Sequence, residues 1–165
     1  MDRHGLKEYA NQVYKATAGL MQLVPEDKLS WKPSETNNWM TLGQLLHHLP
    51  ESTGMCMKMF IEDAWPEFSE DEMMASAEKM ATAKSVQEAL DQLEKDRKLM
   101  VELLDGLSDE DYTSRMVAAP WCSTPFPLWA QLLGMVEHQI NHKMMLFTYL
   151  KLLDIPVHTG HLYGV

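Results

Sequence analysis

Glu137-His138-Gln139-Ile140-Asn141-His142 sits inside the longest apolar-periodic run of the chain, residues 128–153, and spaces two histidines four residues apart. On an α-helix such a pair lies about 40° apart around the axis and one turn apart along it, so both imidazoles reach one point. That is metal-ligand spacing, shared with histidines that only pack or face solvent, and it decides nothing without a third ligand. The same helical face carries Met135, Leu146, Tyr149 and Leu153, so the pair is expected to point inward. Buried imidazoles need partners, because an unsatisfied buried polar group costs on the order of 1–3 kcal/mol. A metal or a tight hydrogen-bond network has to supply them.

Three further helical patterns lead up to this run. The first covers residues 2–24, with Leu6, Tyr9, Val13, Ala16, Leu20 and Leu23 at three- and four-residue steps and Pro25 closing it. After a connector containing Trp31 and Trp39, Thr41 and Gln44 form a capping-box pattern that starts the second helix near Leu42, with Met40 and Leu45 as its hydrophobic staple. Its apolar positions run through Leu46, Leu49, Cys56 and Phe60 and fade near Ala64-Trp65-Pro66, and Pro50 predicts a kink. At about 100° per residue, His48 lies roughly 105° from the centre of that stripe and His47 roughly 155° away. His48 is thus the inward candidate, with a core-edge histidine as the alternative, and His47 faces out.

Residues 65–84 turn acidic and Met-rich. Ser69-Glu70-Asp71-Glu72 caps a short helix carrying Met73, Ala77 and Met80, or belongs to a loop. Ser85 with Glu88 opens the third helix, whose inner side reads Val86, Leu90, Leu93, Arg97, Met100, Val101 and Leu104 and which Gly106 stops. Residues 107–126 read as turns, and Pro127 suits the first turn of the last helix. Trp121, Phe126 and Trp129 are candidates for a pocket rim, or a plug at one end of the helices. With no period-two strand, the pattern argues for one all-α domain, residues 1–165, built as a four-helix bundle.

Composition narrows the function. A chain of 165 residues buries roughly two-thirds of its unfolded surface without a disulfide or structural metal, so a metal here is functional before structural. No apolar run approaches the length of a membrane span and no signal-peptide pattern opens the chain, which points to a cytoplasmic protein without a membrane partner. Ten net negative charges and no Lys/Arg cluster disfavour nucleic acid. Cys56 and Cys122 are too far apart for a CxxC motif and are read as reduced. The fourteen methionines suit core filling or an adaptable pocket.

Three stretches resemble the DinB-like (DinB/YfiT-like) superfamily of metal-binding proteins. These are Leu29-Ser30-Trp31-Lys32-Pro33, then Thr41-Leu42-Gly43-Gln44-Leu45-Leu46-His47-His48-Leu49, then Glu137 to Lys143 followed by Leu150-Lys151-Leu152-Leu153-Asp154-Ile155-Pro156. The resemblance covers nearly the whole chain in order. It implies an up-down-down-up four-helix bundle with a long connection between helices 2 and 3, and a metal triad of His48, His138 and His142. It further implies one divalent ion, zinc or nickel, a homodimer, and a small-molecule substrate, with thiol-dependent S-transferases and a mycothiol-dependent isomerase among characterised relatives. The chain departs from the pattern after the last ligand, where Lys143-Met144-Met145 replaces Arg-Gly-Gln, and at Asp154, where glycine is common.

Three neutral imidazoles and an open position are the arrangement of catalytic zinc, which lowers the pKa of a water to about 7 or stabilises a thiolate. Either chemistry fits, and the resemblance implies a metal-dependent S-transferase that presents a low-molecular-weight thiol to a small electrophile. The alternatives are a metal-dependent hydrolase, or a binding or stress-response module with a structural or vestigial metal. Glu51 and Glu137 are candidate bases or second hydrogen-bond acceptors, with surface placement as the alternative. His158 and His161 in the tail are further ligand candidates or simply solvated.

Overall fold

Asp2 opens the first helix by accepting the Gly5 N–H at 2.7 Å. In the computed structural model, which describes residues 1–36, 38–66 and 79–165, α1 then runs Arg3–Met21 and buries Leu6, Ala10, Val13, Tyr14, Thr17 and Leu20. The stripe is rotated slightly from expectation: Tyr9 faces solvent and Tyr14 goes in. The helix ends at Met21, short of Pro25.

The capping box at Thr41 is present in both directions. Thr41 Oγ1 accepts the Gln44 N–H at 3.2 Å and Gln44 Oε1 accepts the Thr41 N–H at 2.8 Å. Helix α2, Leu42–His48, follows. Gly43 is required by close approach, since its N–H donates to Leu29 O at 2.7 Å and an added Cβ would stand 2.5 Å from Thr82 Cγ2. The kink expected at Pro50 is a complete break. A 3-10 turn, Leu49–Glu51, separates α2 from α3, Gly54–Glu62. Pro50 offers no N–H to the Leu46 carbonyl and its ring obstructs the next helical turn, so the chain re-enters helix only after Thr53.

What restarts it is a residue on another helix. Asp96, in the middle of α4 (Val86–Gly106), accepts the Gly54 and Met55 N–H groups, both at 2.8 Å, and the Tyr14 hydroxyl at 2.6 Å. It serves α3 as an N-cap borrowed through space. Burial raises the Asp96 carboxyl above its ordinary range, and burial plus the adjoining carboxylate raises Tyr14 well above 10. The sequence reading put Arg97 on the inner side of this helix; the structure turns Asp96 inward and pairs Arg97 with Glu94 and Asn11 near the surface. Ser85 caps α4 as expected, but Glu88 reaches back to the Lys84 N–H, one residue beyond the capping-box partner. Gly106 is the last helical residue and not a left-handed stop; Leu107 leaves the helix in extended conformation, at φ −79° and ψ 135°.

Residues 107–127 hold more regular structure than a series of turns. A short helix α5, Asp109–Ser114, precedes two strands, β1 (Met116–Ala119) and β2 (Cys122–Pro127), paired antiparallel with Val117 opposite Phe126 and Ala119 opposite Cys122. The chain is mostly helical, and the hairpin corrects only the expectation that it holds no strand. Burial alternates over only the four residues of β1, and the longer strand is mostly exposed and carries two prolines, so no period-two run stands out in the sequence. Leu128 N–H donates to Arg115 O at 2.7 Å, closing the hairpin onto α6, Leu128–Leu152. Pro127 stands at the N-cap, not in the first turn. The helix ends in a Schellman motif, with Ile155 N–H on Leu150 O, Asp154 N–H on Lys151 O, and Asp154 left-handed at φ 59°.

A last short helix, α7 (Thr159–Tyr163), returns over α1, tied by the buried Lys143 Nζ donating to Leu162 O at 2.7 Å. The chain is mostly helical. Helix α1 packs against α4 and α6, and α3 packs against the same two helices from the other side. Leu46, Leu49, Met57, Phe60, Met100, Leu132 and Leu146 belong to one continuous apolar core between them. The cap expected at residues 69–72 lies outside the described residues. Among the described residues, no helix is long and apolar enough to cross a membrane.

Candidate metal centre

His48 is the last residue of α2, and the helix breaks directly after it. A buried hydrogen-bond chain fixes that break against α6. Thr53 Oγ1 donates to Gln139 Oε1 at 2.7 Å, and Gln139 Nε2 donates to Thr17 Oγ1 at 3.4 Å. Gln139 lies between the two histidines of α6 in sequence, so this chain registers α2–α3 against the segment that carries them. All three side chains are fully buried.

The three sequence-predicted histidines come together. Nε2 of His48 stands 3.3 Å from Nε2 of His138 and 3.1 Å from Nε2 of His142, and the latter two are 2.8 Å apart. Among the described residues this is the one group of three His, Cys, Asp or Glu side chains that could hold a metal ion. A neutral imidazole presents either an N–H or a lone pair at Nε2. Three atoms in mutual contact with two states available must include at least one like pair, N–H against N–H or lone pair against lone pair. Hydrogen bonds among the three rings therefore cannot satisfy the cluster, whereas one cation facing three lone pairs can. For tetrahedral zinc with bonds of about 2.0–2.1 Å, neighbouring ligand nitrogens stand about 3.3 Å apart. The observed triangle meets that spacing on one edge, and its tightest edge needs to open by about half an ångström.

Electrostatics prepares the same state. Burial, reinforced by neighbouring imidazoles, pushes His48 down to about 4 and His142 to about 3, and burial also lowers His138. All three rings are neutral near pH 7, the form that ligates metal. Nδ1 of His142 is buried without a hydrogen-bond partner among the described residues.

The remaining candidates separate. His47 faces outward, 3.8 Å from Glu51. Both line a cleft of about 360 Å³ together with Asp96 and Lys95, and none of the triad borders it. Glu51 is thus turned away from the centre. Glu137 instead borders a groove of about 440 Å³ that reaches His138, with Cys56, Met135 and Trp121 also on its walls. Of the three aromatic rim candidates only Trp121 lines that groove; Phe126 and Trp129 are exposed elsewhere. Trp31 and Trp39 pack on Tyr149, with centroids at 5.5 and 6.1 Å, and so cap an end of the core. His158 and His161 cap α7 and approach no third ligand. Both cysteines are free, and Cys56 Sγ donates to Glu51 O at 3.3 Å. Sequence reasoning missed Gln139, Thr53 and Asp96. The polar Gln139 between two candidate ligands was the one available signal.

The sequence model of a family described as the DinB superfamily matches residues 9–145. Among solved structures, a DinB-like protein from Bacillus subtilis superposes with a TM-score of 0.65 at 20% identity over 94% of each chain. Another, from Bacillus cereus, superposes with a TM-score of 0.68 at 16% identity over 94% of this chain and 96% of its own. At these identities the likeness speaks for the fold. A search of curated proteins found no match.

Proposed function

Because the chain belongs to the DinB superfamily and brings three Nε2 atoms together at one point, we propose that it binds one divalent metal ion through His48, His138 and His142. The observation that carries this reading is the mutual contact of the three nitrogens, at 2.8–3.3 Å, which no set of tautomers satisfies without a further group. The donor set is all imidazole, which suits zinc or nickel. The proposed architecture is a single domain over residues 1–165, a four-helix bundle of the up-down-down-up type, in which α2 and α3 together form one arm. The pairing of α1 and of α3 with both α4 and α6 supports it. A homodimer acting in the cytoplasm completes the reading.

We further propose metal-dependent chemistry of the thiol S-transferase type on a small electrophile. When bound, the ion supplies Lewis acidity, which acidifies a water or a thiol at the position the protein leaves open. The chain's own residues do the rest. The Thr53–Gln139–Thr17 hydrogen bonds hold His48 against the α6 pair, burial keeps the three rings unprotonated, and the groove at His138 admits a small molecule. A hydrolase is the second reading, favoured by Glu137 on the wall of that groove, where a carboxylate can take a proton. The non-catalytic alternative, a ligand-binding module, uses the same groove without turnover. Steady-state assays with a panel of low-molecular-weight thiols and electrophiles, run beside an ester and amide panel on the zinc- and nickel-loaded protein, test these. Thiol-dependent turnover lost in His138→Ala supports the transferase. Turnover without thiol supports the hydrolase, and metal binding with no turnover in either panel leaves the binding module.

A further inference from the structure

The groove at His138 has a wall that packing does not explain. Gly134 lies within α6, where glycine is an unfavourable helix residue. A Cβ built there meets no atom within 4 Å, so no neighbour demands its absence. The space it leaves open is the groove, which Gly134 lines. Across from it stands Trp121, at the turn of the hairpin. The residue is 56% exposed, yet its ring makes T-shaped contacts with Trp65 at 5.3 Å and Phe60 at 6.1 Å. A large, exposed indole held by two neighbouring rings is a stacking surface with much of its ordering cost already met.

The chemistry of the remaining walls sets the charge. Met135 and Cys56 are apolar, the latter an uncharged thiol because burial pushes it up to about 11. The charged residue on the lining is Glu137, in a chain with ten net negative charges. In the metal-free protein a carboxylate on the groove wall favours a cation over an anion, whereas a divalent ion on His138 acts in the opposite sense.

We propose that this groove is the ligand-binding site beside the metal centre and that it takes a small aromatic cation, its ring stacked on Trp121 in the space left by Gly134 and its positive charge near Glu137. The proposal rests on the metal reading for its link to chemistry, but the groove's selectivity belongs to its own walls. The test uses NMR of the full chain, metal-free and zinc-loaded. It follows Trp indole and Met methyl signals, with benzyltrimethylammonium, benzyl alcohol and benzenesulfonate as matched probes that coordinate metal weakly or not at all. The expected result in the metal-free protein is saturable shifts at Trp121 and Met135, with the cation binding about tenfold more tightly than the anion, and a smaller preference once zinc is bound. Gly134→Leu, which meets no clash at its Cβ, should abolish the shifts without lowering the melting temperature, since leucine is the better helix residue, and should leave zinc content unchanged. Trp121→Ala should weaken all three probes, and Glu137→Gln should remove the preference for the cation. Equal or tighter binding of benzenesulfonate by the metal-free protein, no binding of any probe, or shifts that survive Gly134→Leu would each overturn the proposal. Zinc content read on the same samples keeps the two readings apart. Groove binding without zinc uptake refutes the metal centre alone, and zinc uptake without groove binding refutes the groove alone.

Discussion

Thr53→Val is a change of a few atoms whose cost the structure sets. The side chain is fully buried and donates to Gln139 Oε1 at 2.7 Å, so valine keeps its shape, opens no cavity and removes the donor. Gln139 Oε1 is then a buried acceptor without its partner, which costs about 1–3 kcal/mol. At about 2–4 °C per kcal/mol for a domain of this size, the melting temperature should fall by roughly 4–8 °C for a loss near 2 kcal/mol. Gln139→Leu is expected to cost less on this account. Thr53 Oγ1 retains Met135 O at 3.3 Å and Thr17 Oγ1 retains Val13 O at 2.8 Å. Replacing both partners leaves no stranded acceptor, so the double variant should be more stable than the sum of the two singles by about 1–2 kcal/mol. Urea unfolding of the wild type, the two singles and the double, metal-free throughout, measures the coupling. Additive losses would refute the claim that this pair holds the α2–α3 break against α6.

Other outcomes follow from single features. Asp154 adopts φ 59° at the Schellman position of α6; Asp154→Gly should raise stability by about 0.5–1 kcal/mol, read as a melting point about 2 °C higher, and a fall would contradict the strain. The buried Lys143 ammonium holds the Leu162 carbonyl, so Lys143→Ala should expose the tail, with new proteolytic cuts after residue 157 and slower cleavage restored in Lys143→Arg. In the metal-free protein the three histidines have lowered pKa values, about 4 for His48 and about 3 for His142. The unfolded chain protonates them near 6.5 and the folded chain does not, so stability is full above about pH 6.5 and declines as the pH falls toward 4. Urea midpoints at pH 7.5 and 5 should differ more for the wild type than for a variant with all three changed to asparagine; equal differences would refute the shift.

The helices were legible where local signals and tertiary demand agreed. Thr41 and Gln44, Ser85, and the long run of α6 placed their elements to within a residue or two because capping and apolar period are written locally. The α6 pair was legible from its place on an apolar face, whereas the angle of His48 at the flank of its stripe left a core-edge histidine open and the family resemblance completed the triad. What was not legible depended on partners distant in sequence. Nothing around Asp96 announces that it caps a helix some forty residues earlier, and one step of helical angle separates it from Arg97. The hairpin at 116–127 is short, bulged and largely exposed, so the alternation of its first strand, four residues long, does not stand out as a period-two run. Gln139 and Thr53 gain meaning only when α3 and α6 are side by side. Gly134 reads as a flaw in a helix until the groove gives it a reason.

The most direct test of the account is the metal content of untagged protein. The sample is dialysed against buffered zinc or nickel and measured by element-resolved mass spectrometry beside His48→Ala, His138→Ala and His142→Ala, each shown to be folded by circular dichroism. The account predicts one divalent ion per chain in the wild type and a marked loss in every single variant, His48→Ala included, since that residue joins the pair from another helix. A metal-free wild type, or full occupancy after removal of His48, would contradict it.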